Sequence, residues 1–198
     1  MLDNSDACAV NVAIRVRPLV GRELSSGNKK VCISSPVIVE PNPTKMTMSG
    51  KAFDFDAVFW DNVSQDHIFN KCARNLVLGC FHGYNATILA YGQTGSGKTH
   101  TMGTGNTIGV PFDEVGIVPR VFKFIFDELD VRRAQSEFSE FKVRIAFLEL
   151  YNEELHDLLD PASMVRDRTT GKPLKELTIR EEKNVISVRG LKELEVTS

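Results

Sequence analysis

Hydrophobic and polar residues alternate along the first regularly patterned stretch of the chain, residues 10–17. Branched aliphatic side chains occupy every second position there, which predicts a half-buried β-strand that Pro18 would end. Arg15 and Arg17 share one face of this strand. Two interpretations of that face remain open: a guanidinium held against polar groups at the strand's end, or a face exposed to solvent.

The next segment, residues 31–55, contains short β-like runs separated by prolines and by Ser49-Gly50. Such spacing is typical of a small antiparallel meander at the edge of a larger body. Aromatic residues then cluster between Phe53 and Trp60. We expect this cluster to belong to the core rather than to a ligand cage, because large rings contribute most to stability when they are buried.

A period of about four residues follows and predicts a helix that starts after Ser64, a suitable N-cap. Its apolar stripe contains Ile68, Cys72, Leu76 and Cys80 at every fourth position and is widened by Phe69, Val77 and Phe81. The four cysteines of the chain form no C-x-x-C pair. We therefore expect Cys72 and Cys80 to be buried, reduced thiols rather than metal ligands.

Residues 88–91 are apolar and predict a buried strand that leads into a glycine-rich loop. The loop, residues 92–99, matches the phosphate-binding pattern G-x-x-x-x-G-K-[ST] at every specified position. Residues 99–102 can continue as the first turns of a helix. Strand, loop and helix in this order are the setting that the pattern requires.

The residue types of this loop suit a phosphate ligand. Glycines at 92, 95 and 97 would let successive backbone N–H groups point inward and hold an anion. Lys98 would reach the β- and γ-phosphates, and the hydroxyl of Thr99 is a suitable ligand for Mg²⁺. A glycine-rich turn that carries Lys-Thr by chance is the competing interpretation, and the complete match disfavours it.

Beyond the loop, Pro119 lies in the first turn of a predicted helix. The apolar face of that helix consists of Val118, Phe122, Ile125 and Leu129. Residues 141–151 are apolar on both sides and predict a central strand, whereas residues 177–188 predict a hairpin. Glu149 superficially resembles a metal-binding acid of phosphate-loop enzymes, but a single acid beside a strand does not support a metal site.

The composition is 42% hydrophobic and 25% charged over 198 residues, with a formal net charge of −2. This balance is that of an ordinary globular protein and does not indicate binding to nucleic acid or to an anionic membrane. No apolar run has the length of a bilayer span, and the N-terminus lacks the pattern of a secretory signal. We therefore expect an intracellular protein without a membrane segment.

Six separated stretches share their order with one known family: Arg15–Pro18, Gly83–Thr87, Ala90–Gly103, Gly116–Arg120, Glu149–Glu153 and Asp157–Leu159. Together they resemble the N-terminal part of a kinesin motor domain. The similarity extends from about Ala9 to the end of the sequence and is more specific than the phosphate loop alone. Residues 83–87 and 152–154 are most similar to the chromokinesin-type branch.

The resemblance implies an incomplete kinesin motor fold of the α/β, P-loop NTPase type, with a central, mostly parallel or mixed sheet and flanking helices. It implies ATP or ADP and Mg²⁺ as ligands. Arg15, Pro18 and His100 would form the adenine pocket. Lys98 and Thr99 would be the catalytic residues, with Thr99 on the metal. The phosphates would be held by Gln93, Thr94, Gly95, Ser96, Gly97, Lys98 and Thr99.

The sequence also departs from the kinesin pattern. It contains neither of the two switch sequences that sense the γ-phosphate, nor the main microtubule-binding helix and the neck linker. Kinesins place strands from these later parts beside the strand that feeds the phosphate loop, so we expect residues 88–91 to lack strand partners in this chain alone. The expected organisation is a flexible N-terminus at 1–8 and the nucleotide-binding half of a motor domain at 9–198.

Microtubule contact is a further implication of the resemblance. The cations in the corresponding loop and hairpin, which could attract the acidic tubulin surface, are Arg166, Arg168, Lys172, Lys175, Arg180, Lys183 and Arg189. For each one, an ordinary solvated side chain is the competing interpretation. The implied full-length protein is a homodimer on microtubules or the spindle, cytoplasmic or, for a chromokinesin-type protein, also nuclear. No nucleic-acid contact is expected from this segment.

Two functional hypotheses follow. In the first, the chain supplies the ATP-binding loop, the adenine pocket and part of the track-facing surface of an ATP-dependent microtubule motor, which in intact form is a microtubule-stimulated ATPase. In the second, a truncated, non-motile module holds nucleotide or tubulin without turnover. The presence of both switches in the natural chain would decide for the first. Another P-loop kinase or ATPase is disfavoured, because the stretches outside the loop match kinesins.

Overall fold

The structure of the chain is a computed structural model. It describes residues 10–25, 45–48, 51–103, 109–136, 140–169, 171, 173–183 and 185–197. The predicted flexible segment at 1–8 and the first part of the predicted meander, residues 31–44, lie outside the described residues. Two compact units make up the chain, Met1–Leu129 and Asp130–Ser198.

A parallel pair of short strands lies in the first unit: β1 (Ala13–Arg15) and β4 (Ala57–Phe59). The alternating pattern over residues 10–17 therefore yields only three strand residues, because the paired part of β4 is itself three residues long. Val10 is 83% exposed, whereas Val16 is buried. A short helix, α1 (Gly21–Ser25), follows β1.

An antiparallel hairpin precedes β4 along the chain. Its strands are β2 (Lys45–Met48) and β3 (Lys51–Asp54). This pairing confirms the second part of the predicted meander. The aromatic cluster that follows is only partly in the core: Phe59 is buried, but Phe53 is 40% exposed.

Two helices replace the single helix predicted after Ser64: α2 (Gln65–Cys72) and α3 (Arg74–Cys80). Ser64 caps α2 as predicted, since its hydroxyl accepts a hydrogen bond from the backbone N–H of His67 at 3.2 Å. Between the helices, Ala73 departs from helical geometry with a φ of −116°.

This break changes which side chains of α3 are buried. Ala73 and Val77 are buried, while Leu76 is 37% exposed. Cys72 is half-buried and Cys80 is exposed, and both thiols are free. The predicted stripe is therefore confirmed at Ile68, Phe69 and Val77. It is wrong at Leu76 and Cys80, because the break at Ala73 turns the following helix about its axis.

The predicted buried strand at residues 88–91 is also absent. No strand is assigned to residues 84–92, and Leu89 and Tyr91 are 84% and 95% exposed. Ile88 alone packs against the core. No described strand lies beside this segment, so its apolar side chains have no sheet face to bury, as the departure from the kinesin pattern led us to expect.

Two further helices follow this segment: α4 (Lys98–Met102) and α5 (Ile117–Ala134). Pro119 lies in the first turn of α5, as predicted. The buried face of α5 matches the predicted one only in part: Leu129 is buried as predicted, but Ile117 also enters the core and Phe122 is 36% exposed. The core of the first unit consists of Ala57, Phe59, Ile68, Phe69, Ala73 and Ile117.

The described strands of the second unit form antiparallel pairs. They are β5 (Val143–Ile145) with β10 (Leu194–Val196), β6 (Leu148–Tyr151) with β7 (Glu154–Asp157), and β8 (Thr178–Glu182) with β9 (Val185–Arg189). The pair β8–β9 confirms the predicted hairpin. Across both units the described strands pair only two at a time, so the described residues do not form the single central sheet that the resemblance implied.

The prediction of one long central strand at 141–151 is wrong. The chain leaves the β conformation at Ala146 and Phe147, and β6 then turns back into β7. Asn152 and Glu153 form the turn with φ values of 49° and 65°, the left-handed geometry of a two-residue hairpin. Glu153 occupies a position where glycine is usual, so the sequence carried no strong hairpin signal. Because β6 pairs only with β7 among the described strands and does not lie in the middle of a sheet, Leu150 is 70% exposed.

No described helix combines the length and the apolar composition needed to cross a membrane. Within the same residues, no group of three or more His, Cys, Asp or Glu side chains is arranged to hold a metal ion. Glu149 therefore belongs to no such cluster.

Candidate phosphate-binding and base-binding site

The glycine-rich loop adopts a curled backbone that leads directly into α4. The N–H of Ser96 donates to the carbonyl of Gln93 at 3.1 Å, which closes a turn inside the loop. Gly95 and Gly97 have φ values of +78° and +100°, a region that side chains other than glycine rarely enter. The N–H of Thr101 then donates to the carbonyl of Gly97 at 2.9 Å and starts the helix. The predicted loop-to-helix transition is thus present.

An open cleft of about 300 Å³ lies along this loop, lined by Thr94, Gly95, Gly97, Lys98 and Thr99. Behind the lining, the hydroxyl of Ser96 is buried and has no hydrogen-bond partner among the described residues. A Cβ atom on Gly92 would come within 2.5 Å of that hydroxyl. The loop therefore holds a buried hydroxyl in a space that only a glycine at 92 leaves open. These features fit a ligand rich in hydrogen-bond acceptors, such as a phosphate chain.

Lys98 supplies the positive charge of the cleft. Its ammonium donates to the carbonyls of Gly92 at 2.7 Å and Gln93 at 2.9 Å. An ammonium group has three donors, so these two bonds leave one N–H for an anion. Because both partners are neutral carbonyls, the full positive charge remains available to the cleft. Thr99 is exposed and lines the same cleft, where its hydroxyl is accessible to a metal ion.

Backbone packing fixes the far end of α4. A Cβ on Gly116 would lie 2.4 Å from the N atom of Gly103 and 2.5 Å from the carbonyl oxygen of Thr101. Distances this short do not occur for real Cβ atoms, so only glycine allows the two backbones to touch. The contact seats α4 against the start of α5 and thereby holds the helix that carries Lys98 and Thr99.

Arg15 turns from β1 toward α2 and α4. Its Nη1 atom donates to Oε1 of Gln65 and to Oγ1 of Thr101, each at 2.9 Å. The open question about this strand face is therefore resolved for Arg15, which meets polar groups. Arg15 is half-buried, and burial lowers its pKa from the usual value. A guanidinium nevertheless keeps its charge at neutral pH, because its usual pKa is far above neutral.

Arg17 takes a different role from Arg15. It forms an ion pair with Glu23 of α1, with Nη1 and Oε2 2.7 Å apart. The hydrogen bond from Arg17 lowers the pKa of Glu23 to about 2. Pro18, the next residue, is exposed. A Cβ on Gly97 would lie 4.0 Å from the Cβ of Arg17, so the end of this stretch lies beside the phosphate loop.

His100 lies next to the phosphate loop on α4, as expected. Its Nδ1 atom is 3.1 Å from Nε2 of Gln65, and its carbonyl accepts from the same Nε2 at 2.9 Å. Burial lowers the pKa of His100; the charge of Arg15 lowers it further, and that of Glu114 acts in the opposite direction. The structure thus brings two of the three predicted base-pocket residues, Arg15 and His100, to one shared partner.

That partner, Gln65, was not identified from the sequence. A signal was nevertheless present, because Gln65 lies three and four residues before Ile68 and Phe69 on the buried face of α2. A polar residue on an apolar stripe has to find hydrogen-bond partners in the interior. Gln65 is only 5% exposed.

The cations predicted to face tubulin lie in the second unit, and several are already paired. Arg166 forms an ion pair with Glu154 and also donates to the carbonyl of Gly171 at 2.9 Å. Lys175 binds Asp160 at 2.7 Å and approaches the buried Asp157 at 3.6 Å.

These partners move the pKa values in the expected directions. The hydrogen bond from Arg166 lowers the pKa of Glu154, and that from Lys175 lowers the pKa of Asp160. Arg168 and Lys183 are exposed, and no ion pair joins either of them to another described residue. Lys172 lies outside the described residues.

Comparison with known proteins places the chain in one group of relatives. A family model described as Kinesin motor domain matches residues 15–198. Kinesin-related protein 8 of Dictyostelium discoideum is 45% identical over 161 residues, which are 81% of this chain and 8% of that protein. Human kinesin-like protein KIF21B is 40% identical over 182 residues, or 89% of this chain and 11% of the relative.

Human chromosome-associated kinesin KIF4A is 41% identical over 186 residues, which are 93% of this chain and 14% of that protein. Its presence among the relatives agrees with the similarity to the chromokinesin-type branch. A solved structure of a fast kinesin matches with a TM-score of 0.75 and 33% identity, over 96% of this chain and 49% of that chain. This match confirms the predicted α/β fold class. The chain spans less than a fifth of the length of these three curated relatives and about half of the solved structure.

Proposed function

The chain belongs to the kinesin motor-domain family, and from that premise we propose that it supplies the nucleotide-binding part of an ATP-driven microtubule motor. The observation that carries the proposal is the cleft along residues 94–99, with a lysine ammonium at its edge and a buried, unpartnered Ser96 hydroxyl behind it. A chain of phosphates offers the acceptors and the negative charge that this arrangement lacks within the described residues.

The phosphates of ATP or ADP would lie in the loop, against the backbone of residues 93–99. Lys98 would donate its remaining N–H to a phosphate oxygen, while its two carbonyl bonds hold the side chain in place. The Thr99 hydroxyl would be a ligand for Mg²⁺, whose charge offsets that of the phosphates and of the transferring group when it is bound. Lys98 and Thr99 are thus the groups of this chain that would touch the reacting end of the nucleotide.

The base would lie between the end of β1 and α4. Arg15 and His100 already share Gln65 as a partner there. Pro18 follows Arg15 by three residues in the sequence. An imidazole ring and a guanidinium plane both present flat surfaces on which a purine can stack. The proposed adenine pocket therefore consists of Arg15, Pro18 and His100.

The track-facing surface is proposed for the loop and hairpin of the second unit. Arg168, Arg180, Lys183 and Arg189 are exposed there, and among the described residues no ion pair joins any of them to an acid. Arg166 and Lys175 would attract an acidic partner less strongly than their sequence positions alone indicated, because each forms an ion pair with a carboxylate of its own unit. The attraction would be electrostatic and would weaken with salt.

The test of the proposal is a Lys98→Ala variant of the intact protein. It removes the ammonium from the cleft, and we expect affinity for Mg·ATP to fall by about a hundredfold or more, since charge-assisted hydrogen bonds are among the strongest that proteins make. The control is Lys123→Ala, which removes an exposed lysine whose partner is Asp127 on the same helix. Microtubule-stimulated ATPase at the normal rate in Lys98→Ala would contradict the proposal.

A further inference from the structure

Gln65 occupies the centre of a hydrogen-bond network that joins four parts of the first unit. Its Oε1 accepts from Arg15 of β1 at 2.9 Å. Its Nε2 donates to the carbonyl of His100 at 2.9 Å and to that of Glu114 at 3.2 Å, and it lies 3.1 Å from Nδ1 of His100. One buried amide thus contacts β1, α4 and the segment before α5 from its own place at the start of α2.

The chemistry of the partners fixes the orientation of the amide. A guanidinium can only donate, so the atom that faces Arg15 must be the amide oxygen. Backbone carbonyls can only accept, so the atom that faces His100 and Glu114 must be the NH₂ group. Rotating the amide by 180° would set donor against donor and acceptor against acceptor. The hydrogen-bond partners therefore fix the orientation of the Gln65 amide.

This orientation determines which nitrogen of His100 carries the proton. The NH₂ of Gln65 has two hydrogens for three acceptors, namely the carbonyls of His100 and Glu114 and the Nδ1 atom of His100. Because an amide nitrogen does not accept hydrogen bonds, a proton on Nδ1 would face a donor, and the neutral ring therefore has its proton on its own Nε2. The ring is held by the edge that carries Nδ1. The opposite edge, with an N–H donor, and the faces of the ring are left for a ligand.

The far side of the network is itself held firmly. The segment that contains Glu114 is tied to α5 by Arg120, which donates to the carbonyls of Val115, Phe112 and Asp113 at distances of 2.9 to 3.0 Å. Arg120 is 5% exposed. Gln65 therefore sits between partners whose positions are set by other contacts, and its amide can fix the rings and charges that it touches.

We propose that Gln65 is a positioning residue that holds both walls of the base pocket, Arg15 and His100, at a fixed separation and presents the Nε2–H edge of His100 to the base. This inference rests on the proposed nucleotide site and deepens it: the loop at 92–99 accounts for binding of the phosphates, and Gln65 accounts for the added affinity that a base provides. Among the described side chains, no other one forms hydrogen bonds with both Arg15 and His100.

The test compares a ligand that has a base with one that does not. In the intact protein, Gln65→Leu keeps a side chain of similar volume and removes every amide hydrogen bond. We expect the Kd for Mg·ATP to rise about tenfold or more, because several hydrogen bonds that position the pocket are lost, while the Kd for inorganic tripolyphosphate with Mg²⁺ changes by less than about twofold. Asn70→Ala is the matched control, since it removes an amide of α2 that bonds only within that helix among the described residues.

A second variant separates the two walls. In Gln65→Glu, the carboxylate still accepts from Arg15 but has no N–H to offer His100, so we expect a loss of ATP affinity close to that of Gln65→Leu. Wild-type affinity for ATP in Gln65→Glu would overturn the role of donation to His100. Equal losses for ATP and tripolyphosphate in Gln65→Leu, or no loss for either, would overturn the proposal as a whole.

The state of the His100 ring gives a readout that needs no ligand. With ¹⁵N-labelled histidine, at a pH where the ring is neutral, we expect one tautomer with a bare Nδ1 in the wild type and a mixture in Gln65→Leu. A wild-type ring protonated on Nδ1 would contradict the inference. If the wild type bound neither ATP nor tripolyphosphate, the proposed function would fail instead, and the ring measurement would still report on Gln65 separately.

Discussion

Lys98 and Arg15, the cations of the proposed nucleotide site, meet different kinds of partner from Arg166 and Lys175 in the second unit. Lys98 donates to two backbone carbonyls, and Arg15 donates to an amide oxygen and a hydroxyl. In the second unit, by contrast, Arg166 meets Glu154 and Lys175 meets Asp160. Neutral acceptors hold a cation in place and leave its charge uncompensated. A carboxylate also holds the cation in place, but its negative charge neutralises the positive one.

This difference distinguishes cations that can bind a ligand from cations that form structural ion pairs. A cation held by neutral groups remains attractive to an anionic ligand and is already oriented for it, which lowers the cost of binding. A cation paired with a carboxylate mainly ties two segments of its own unit together, and an exposed pair of this kind adds little to stability. The following variants test whether the distinction holds, beginning with the largest expected effect.

Replacing Gly116 by Ala should damage the phosphate-site region most. The new Cβ would lie 2.4 Å from the backbone of Gly103, and overpacking of this kind costs about 3 kcal/mol when backbone has to move. We expect a lower midpoint of thermal unfolding and loss of Mg·ATP binding as α4 is displaced.

The matched control for that variant is Gly171→Ala in the second unit. Gly171 has a φ of +68° but open space around its would-be Cβ, so only the left-handed backbone is penalised, by about 1 to 2 kcal/mol. Nucleotide binding should be unchanged. Equal effects of the two substitutions on ATP affinity would mean that the contact between Gly103 and Gly116 does not hold the site.

The second prediction compares two arginines that are two residues apart. Arg15→Gln should weaken Mg·ATP binding by about tenfold, because it removes a charge that neutral partners hold beside the proposed base pocket. Arg17→Gln should change ATP affinity by less than about twofold, because that charge is already matched by Glu23.

Arg17→Gln should instead be visible in acid. Without its partner, the pKa of Glu23 should return from about 2 toward its usual value near 4.5. A pKa that is lowered in the folded state contributes stability above the unfolded value, and this contribution is lost as the pH falls from about 4.5 toward 2. Carboxyl NMR would measure the change, and an unaltered pKa of Glu23 would refute the pairing.

The smallest effects are expected for microtubule binding. Neutralising Arg168 and Lys183 together by substitution with Gln should weaken affinity severalfold at low ionic strength, and the difference should shrink as salt is added. The double variant Arg166→Gln, Glu154→Gln removes a pair without changing the net charge, and it should bind almost normally. Equal losses in both double variants, measured by co-sedimentation, would place Arg166 on the track-facing surface after all.

The sequence was most informative where local backbone chemistry decides the structure. Ser64 as a helix cap, the glycine-rich loop and the hairpin at 177–188 depend on contacts within a few residues, and all three are found. Residues 88–91 carry an equally clear strand pattern, yet they form no strand. A strand needs a neighbour, and the apolar pattern of a segment does not reveal whether one is available.

The sequence also did not predict which side chains contact each other when they are far apart in the chain. The amide of Gln65 meets Arg15, His100 and Glu114, which are 35 to 50 positions away. Likewise, the spacing of cations after residue 161 did not show that Arg166 would pair with Glu154, twelve positions earlier. The type of a buried polar residue predicts that it needs hydrogen-bond partners, but only the fold determines which residues those partners are.

The central claim is that the backbone of residues 93–99 receives the phosphates of a nucleotide. Hydrogen–deuterium exchange of the intact protein, with and without Mg·ADP, tests this most directly, because each phosphate-bound N–H is protected from exchange. We predict strong protection at the amides of Thr94 to Thr99 and little change at the turn around Lys183. Unchanged exchange across the loop at saturating Mg·ADP, with protection appearing elsewhere, would contradict the account.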